Sequence, residues 1–445
     1  MIRSSRGAIA ACAASLLMLL VVVLSAPAAS AQAEFDTDPD EDVRSVEEAS
    51  LLEPPQSLES PGASESAEPP GSAEASAAAE VPAPTDLAAP PEIDPRLPVP
   101  IRVLGELVQP GTLARLMLRS SESFSGTRVE THVAIVHGRA PGPRVCIVAG
   151  IHGDEVNGVE VVRRALTVLS PITLKGTVLA VPIANPSAFR RGSRYLPDRR
   201  DLNRFFPGSL DGSSASRIAE SLFSSAILGC DALVDLHTGS FHRANLHQLR
   251  ADLADVKTAQ LAAAFGAIVV NSAGRIGTLR RAATDAGIPA ITVEAGESAR
   301  FNKAHVEEAL QGILRLLEAK GMIAAGTSVK PQSSPVAYLR TKWVRCDQGG
   351  ILVSRVSLGQ EVRAGETLGT ISDPLSEEVE TVKSPISGRI IGMALDQVVM
   401  PGFAAFHLGF EPRPLTSSPG QRNAAPRVAP REEAVEGLDP EERPE

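Results

Sequence analysis

Three short stretches of this chain follow apolar runs and carry side chains able to hold or use a metal ion. Gly150-Ile151-His152-Gly153-Asp154-Glu155 offers an imidazole and two candidate carboxylates. Asp235-Leu236-His237-Thr238-Gly239 offers a second imidazole, and Thr292-Val293-Glu294-Ala295-Gly296-Glu297 a further carboxylate. Imidazole nitrogen and carboxylate oxygen are the donors zinc accepts in hydrolytic sites. Three protein ligands leave one position open for water, which marks a catalytic rather than a structural zinc. Another glutamate beside the ion can take the proton of that water as a general base. Singly, each stretch has a plainer reading: H-x-x-E is common in loops, a strand-end histidine is usually structural, and a glutamate there is often a helix cap. Together they favour one Zn2+ per chain, with Asp154 competing against Glu155 for a ligand place. A fourth stretch supplies cations. Asn185–Tyr195 is dense in arginine and leads to Asp201-Leu202-Asn203-Arg204-Phe205-Phe206-Pro207-Gly208. Arginine makes forked hydrogen bonds to carboxylates, so the loop suits a small-molecule substrate bearing one. Arg190, Arg191, Arg199 and Arg200 read as its solvated part.

The elements that must position these residues show in the apolar pattern. Arg144–Gly150, Thr177–Ile183, Ala232–Leu236, Ala267–Asn271 and Ala290–Glu294 read as buried strands. Val156–Leu169, Ser216–Leu228, Ala254–Phe265 and Lys303–Leu317 read as helices between them. Strands alternating with helices predict an α/β fold with a mostly parallel or mixed sheet covered by helices. Such sheets gather ligands at the carboxyl ends of their strands, where the three motifs lie.

The ordered motifs GIHGDE, NPxAF…RY…DLNRxFPG, DLHTG and TVExGE resemble those of the succinylglutamate desuccinylase/aspartoacylase family, a branch of the zinc carboxypeptidase superfamily. The resemblance covers about Val145 to Leu317. It implies that His152, Glu155 and His237 hold the zinc and that Glu294 is the general base. It implies that Arg194 polarises the scissile carbonyl and steadies its oxyanion, that Asn203 and Arg204 grip a substrate carboxylate, and that Asp201 supports their loop. The implied activity is hydrolysis of an amide bond in a carboxylate-bearing N-acyl amino acid. One alternative is an exported zinc carboxypeptidase acting on short or cell-wall peptides. Another is a non-catalytic binding protein on the same fold, against which the intact His152, Glu155, His237 and Glu294 argue. The family includes cytoplasmic enzymes of amino-acid catabolism, yet this chain begins with an export-like segment. Tyrosines that help close the pocket in some relatives have few candidates here, since the chain has only Tyr195 and Tyr338.

The remaining sequence falls into further regions. Residues 1–31 read as a signal peptide: Arg3 and Arg6, an apolar stretch from Ala8 to Leu24, then Ala29-Ser30-Ala31 as a cleavage site. This predicts an exported protein, periplasmic or secreted, with membrane contact only if the segment stays uncleaved. Residues 32–98 are rich in Glu, Pro, Ser and Ala, with 17 acidic residues between Glu34 and Pro98 against Arg44 and Arg96. Such a segment reads as a disordered linker, as does a tail over 412–445. Residues 99–325 would form the hydrolase domain. Between 335 and 411 short β-branched runs are punctuated by glycines, predicting a small all-β barrel-sandwich domain. Gly359–Gly369 and Ser384–Ile390 resemble the two halves of a biotinyl/lipoyl-like fold, without a turn that would present a modified lysine. The reading is therefore a barrel packed against the catalytic domain. Aromatics are only 3% of residues, so aliphatic packing must build the cores, and no basic stripe with interleaved aromatics points to nucleic acid. Cys146, Cys230 and Cys346 lack metal-knuckle spacing, and Cys146 and Cys230 read as buried small hydrophobes rather than as a disulfide framework.

Overall fold

A computed structural model describes residues 99–122, 128–331, 335–376 and 378–415. The export-like segment and the acidic linker lie outside the described residues, as does the tail beyond residue 415. Strands β1 (Ile101–Val103) and β2 (Glu106–Val108) form a small antiparallel hairpin. The catalytic part then runs β3 (Thr112–Glu122), β4 (Arg128–His137), β5 (Ala140–Ala149), α1 (Val156–Val168), β6 (Lys175–Val181), α2 (Pro186–Phe189), α3 (Ser214–Leu222), β7 (Ala232–Gly239), β8 (Arg243–Ala251), α4 (Val256–Phe265), β9 (Ile268–Asn271), α5 (Leu279–Asp285), β10 (Ala290–Glu297) and α6 (Lys303–Ala319). Eight strands follow: β11 (Val336–Arg345), β12 (Gly350–Ser354), β13 (Glu361–Val362), β14 (Thr367–Ser372), β15 (Val379–Lys383), β16 (Gly388–Ala394), β17 (Gln397–Val399) and β18 (Ala404–Pro414).

The central strands each carry a short apolar run, such as Val145–Ala149 in β5 and Ala232–Val234 in β7, because both faces of the sheet are covered there. Along β5, Val145, Ile147 and Ala149 face one core, packed with α1, α4 and α6. Cys146 and Val148 face the other, packed with α3 and α5. β5 pairs in parallel with β6 and β7, and β7 with β10. The sheet is mixed: β4 runs antiparallel to β6, and β8 antiparallel to β10. The predicted helix over Ser216–Leu228 begins as α3 and continues as a π-helical turn over Phe223–Ile227.

The glycine-punctuated segment is all-β, as its texture predicts. β12, β14, β15 and β17 make a four-stranded sheet in the order β15-β14-β12-β17. β13, β16, β18 and β11 lie across a core that includes Leu352, Leu368, Ile371, Ile390, Phe406 and Leu408. This second set of strands belongs to the main sheet. Its order is β13-β16-β18-β11-β9-β8-β10-β7-β5-β6-β4-β3, twelve strands in all. β11 joins β9 in parallel through Ala337↔Val269 and Tyr338↔Val270, and β16 meets β8 antiparallel through Gly392↔Asn245. Hydrogen bonding therefore runs unbroken from the catalytic strands into the C-terminal β unit. β18 extends through Pro414, past the point where composition suggested a tail.

One expectation about the cysteines is corrected. Cys146 on β5 and Cys230, just before β7, are joined as a disulfide across 84 residues of sequence. Parallel pairing of β5 with β7 brings them together, which no spacing rule conveys. Cys346 is free and buried.

Candidate functional site

The first motif occupies the turn from β5 into α1. The turn is tight: a Cβ added at Gly153 would overlap the backbone of Ala188, so only glycine fits there. Glu155 stands at the N-cap of α1, yet its side chain does not cap the helix. It turns inward, with Oε1 2.7 Å from His152 Nδ1 and Oε2 3.0 Å from His237 Nδ1. The two Nδ1 atoms lie 3.2 Å apart. His152, Glu155 and His237 each offer one ligand atom, all within 4.8 Å of one another, and all three residues are buried. His237 lies inside β7 and Glu294 inside β10, rather than just past the strand ends. Asp154 is not part of this cluster.

The backs of both imidazoles are held by carboxylates. His152 Nε2 is 3.1 Å from Asp201 Oδ1, and His237 Nε2 is 3.0 Å from Asp235 Oδ2. This arrangement fixes ring orientation and raises ligand basicity at metal centres, and it leaves both Nδ1 atoms facing inward. The donor set and its backing fit a divalent zinc ion, with His152, Glu155 and His237 as the residues that would hold it. The charges agree with that fit. Burial and Arg194 oppose a proton on His152, but Glu155 and Asp201 outweigh them and raise its pKa. Burial likewise opposes a charged His237, and Asp235 with Glu155 carries its pKa well above the ordinary value. Burial would raise Glu155, yet the two histidines pull its carboxyl well below the usual range. Asp201 is held low against burial by His152 and Arg194. A cation held here would compete with protons for the same two nitrogens.

Arg194 reaches this cluster, as its motif implies. Its Nη2 is 2.9 Å from Asp201 Oδ2, and its Nη1 donates to Ser240 Oγ and lies 3.5 Å from Glu155 Oε1. Asp201 therefore does more than support a loop: one oxygen backs His152 and the other aims Arg194. Asn203 and Arg204 belong to a 3-10 turn over Leu202–Arg204, and both line the cleft beside His152, His237 and Glu294. Asn203 Oδ1 accepts from the backbone N–H of Leu279, where α5 begins. Glu294 is the register partner of His237 on the neighbouring strand.

The sequence reading missed several residues here. Asp235, Ser240, Asn245 and Arg250 touch the predicted site residues, and Arg280 lines the same cleft. Asp235 had a signal, two positions before His237 in the same motif. Asn245 and Arg250 had none, because they lie on β8, whose sequence shows no clean alternation, and they meet Glu294 only through cross-strand register.

Against known proteins, residues 141–319 match the model of the succinylglutamate desuccinylase/aspartoacylase catalytic domain. An N-alpha-acetyl-L-2,4-diaminobutyric acid deacetylase from Halomonas elongata is 27% identical over 289 residues, covering 62% of this chain and 83% of that protein. A succinylglutamate desuccinylase from Pseudomonas aeruginosa is 35% identical over 92 residues, 20% of this chain and 27% of its own. The crystal structure of a succinylglutamate desuccinylase/aspartoacylase from Rhodobacter sphaeroides superposes with a TM-score of 0.60 at 26% identity, covering 66% of this chain and 96% of that one.

Proposed function

On the premise that residues 141–319 match the catalytic domain of the succinylglutamate desuccinylase/aspartoacylase family, we propose that this chain is a zinc-dependent deacylase hydrolysing the amide bond of a carboxylate-bearing N-acyl amino acid. The observation that carries this reading is the convergence of His152, Glu155 and His237 on one point, with Glu294 beside His237 on the next strand. When bound, zinc supplies Lewis acidity that polarises a carbonyl and acidifies water near neutral pH. Asn203 and Arg204 anchor the substrate carboxylate and so fix where the scissile amide falls. Arg194, aimed by Asp201 and Ser240, donates to the carbonyl oxygen as negative charge develops there; such preorganised donors usually contribute most to rate. Glu294 accepts the proton of the attacking water and delivers it to the departing amine nitrogen.

A panel of N-acyl amino acids and dipeptides, offered to the purified protein with and without zinc, tests the reading. The N-acyl amino acids should be cleaved, in a zinc-dependent way. His237→Ala should lose both zinc and turnover. Glu294→Gln should keep its zinc while kcat falls on the order of 10²–10⁴-fold. Preference for dipeptides would favour a peptidase, and near-normal kcat in zinc-loaded Glu294→Gln would remove the proposed base. We also propose that the chain works outside the cytoplasm after cleavage near Ala31. N-terminal sequencing of the mature protein checks this, with Gln32 expected first.

A further inference from the structure

Glu294 is a buried carboxylate on a strand with apolar neighbours, and such a group has to be held by partners. Two of those partners come from one strand. Asn245 donates from Nδ2 to Glu294 Oε2 at 3.1 Å. Arg250 Nε lies 3.1 Å from Glu294 Oε1, and both side chains of this ion pair are almost wholly buried. Asn245 and Arg250 flank Gln248, the register partner of Glu294, and the β8–β10 register shifts between Glu294 and Gly296. Shifts of this kind re-aim a side chain within a sheet. One carboxylate oxygen thus faces a neutral amide and the other a cation. The plane of the carboxylate is fixed, while its four lone-pair sites still leave room for a water proton.

β8 does not hold this geometry alone. Its C-terminal half pairs with β9, and its N-terminal residues pair with β16 of the C-terminal β unit through Gly392↔Asn245, Met393↔Ala244 and Ala394↔Arg243. Arg243 donates to the carbonyl of Ala404 in the same unit, and its guanidinium stacks near Trp343 and Phe403. The strand that grips Glu294 is thus backed by the β unit at the residue that supplies the amide.

We propose that Asn245 and Arg250 are positioning residues for Glu294, and that the C-terminal β unit acts on catalysis through the pairing of β16 with β8. The inference rests on Glu294 being the general base. It gives the β unit a part in the reaction without bringing any of its own side chains to the substrate.

The test uses the full chain loaded with zinc. Asn245→Ala, Arg250→Gln, Arg250→Lys and Gly392→Ala are made both in the wild-type and in the Glu294→Gln background, and kcat, KM, zinc content and Tm are measured. Gly392 is the instructive position. A methyl placed there meets Asn245 Oδ1 at 2.7 Å, and a side-chain end can yield without disturbing the fold. In the wild-type background kcat should fall on the order of 10–100-fold for Asn245→Ala and Arg250→Gln, the scale expected when a reacting group is misplaced by about 1 Å. Arg250→Lys should recover part of the loss, and Gly392→Ala should lower kcat with Tm and zinc near wild type. In the Glu294→Gln background the same changes should cost nothing further, because groups acting as a unit are not additive. If Arg250→Gln folds poorly, Asn245→Ala and Gly392→Ala carry the test. A rise in KM at constant kcat would make Arg250 a substrate grip and overturn the proposal. Full additive losses in the Glu294→Gln background, or unchanged kcat in both Asn245→Ala and Gly392→Ala, would overturn it as well. Near-normal kcat in Glu294→Gln itself is a separate outcome: it removes the general base and, with it, anything to position.

Discussion

At the scale of single residues, the proposed mechanism separates groups that bind from groups that react. Arg204 lines the cleft, with Nη1 3.0 Å from the carbonyl of Asn203 and 3.8 Å from Asp201 Oδ2. As the proposed grip on the substrate carboxylate, it would serve ground state and transition state alike. Arg204→Ala should raise KM with kcat nearly unchanged, at a cost on the order of 2–5 kcal/mol for removing one side of a charged pair. Steady-state kinetics on the carboxylate substrate checks this. His247 makes a different prediction. Burial pushes its pKa down to about 4; Glu308 opposes the shift, while His305 and Arg315 add to it. Its ordinary value is near 6.5, so between those limits the unfolded chain binds a proton that the folded chain refuses. Stability from neutral His247 is complete above about pH 6.5 and is lost as pH falls toward 4, a difference on the order of 3 kcal/mol. Tm should therefore drop more steeply over that window in wild type than in His247→Gln, and parallel curves would refute the assignment. His152, Glu155, His237 and Glu294 were legible in the sequence because each follows an apolar run that could only be a buried strand. His247, Asn245 and Arg250 were not, since what they do is set by strands far away in sequence.

At the scale of elements, the parallel core was readable and the antiparallel additions were not. β5, β6, β7 and β10 announce themselves by short apolar runs, the consequence of burial on both faces. β3, β4 and β8 mix polar and apolar residues because each is covered less completely or carries site residues inward. The same limit hid the Cys146–Cys230 link. It ties the strand that leads to His152 to the segment that leads into the strand of His237. Reduction should lower Tm in wild type and leave the Cys146→Ser/Cys230→Ser double variant unmoved, with about 2–4 kcal/mol at stake for a link of this kind. Intact mass before and after reduction should differ by two hydrogens. Cys346 should resist alkylation in the folded protein, because burial, with Glu380 and Asp347 nearby, pushes its thiol up to about 11.

At the scale of the whole molecule, composition suggested a β barrel packed against a hydrolase domain, and strand pairing joins the two in one sheet. Removing everything after residue 331 would strip β11 from β9 and β16 from β8, exposing two unsatisfied strand edges in the middle of a sheet. Such a truncated chain should be insoluble or lack cooperative unfolding, as circular dichroism and gel filtration would reveal. A folded, zinc-binding truncation would show that the β unit is dispensable for stability. The seam between the two parts also holds the chain's sole tryptophan. Trp343 stacks on His407 with centroids 4.2 Å apart and planes 5° from parallel, and Arg243 of β8 lies over its ring. Indole emission from this protein therefore comes from one place, and an imidazole in face-to-face contact is a natural quencher of it. Brightening on denaturation would time the parting of β11 from β18, where Trp343 and His407 are register partners, with no label attached and no other indole in the chain.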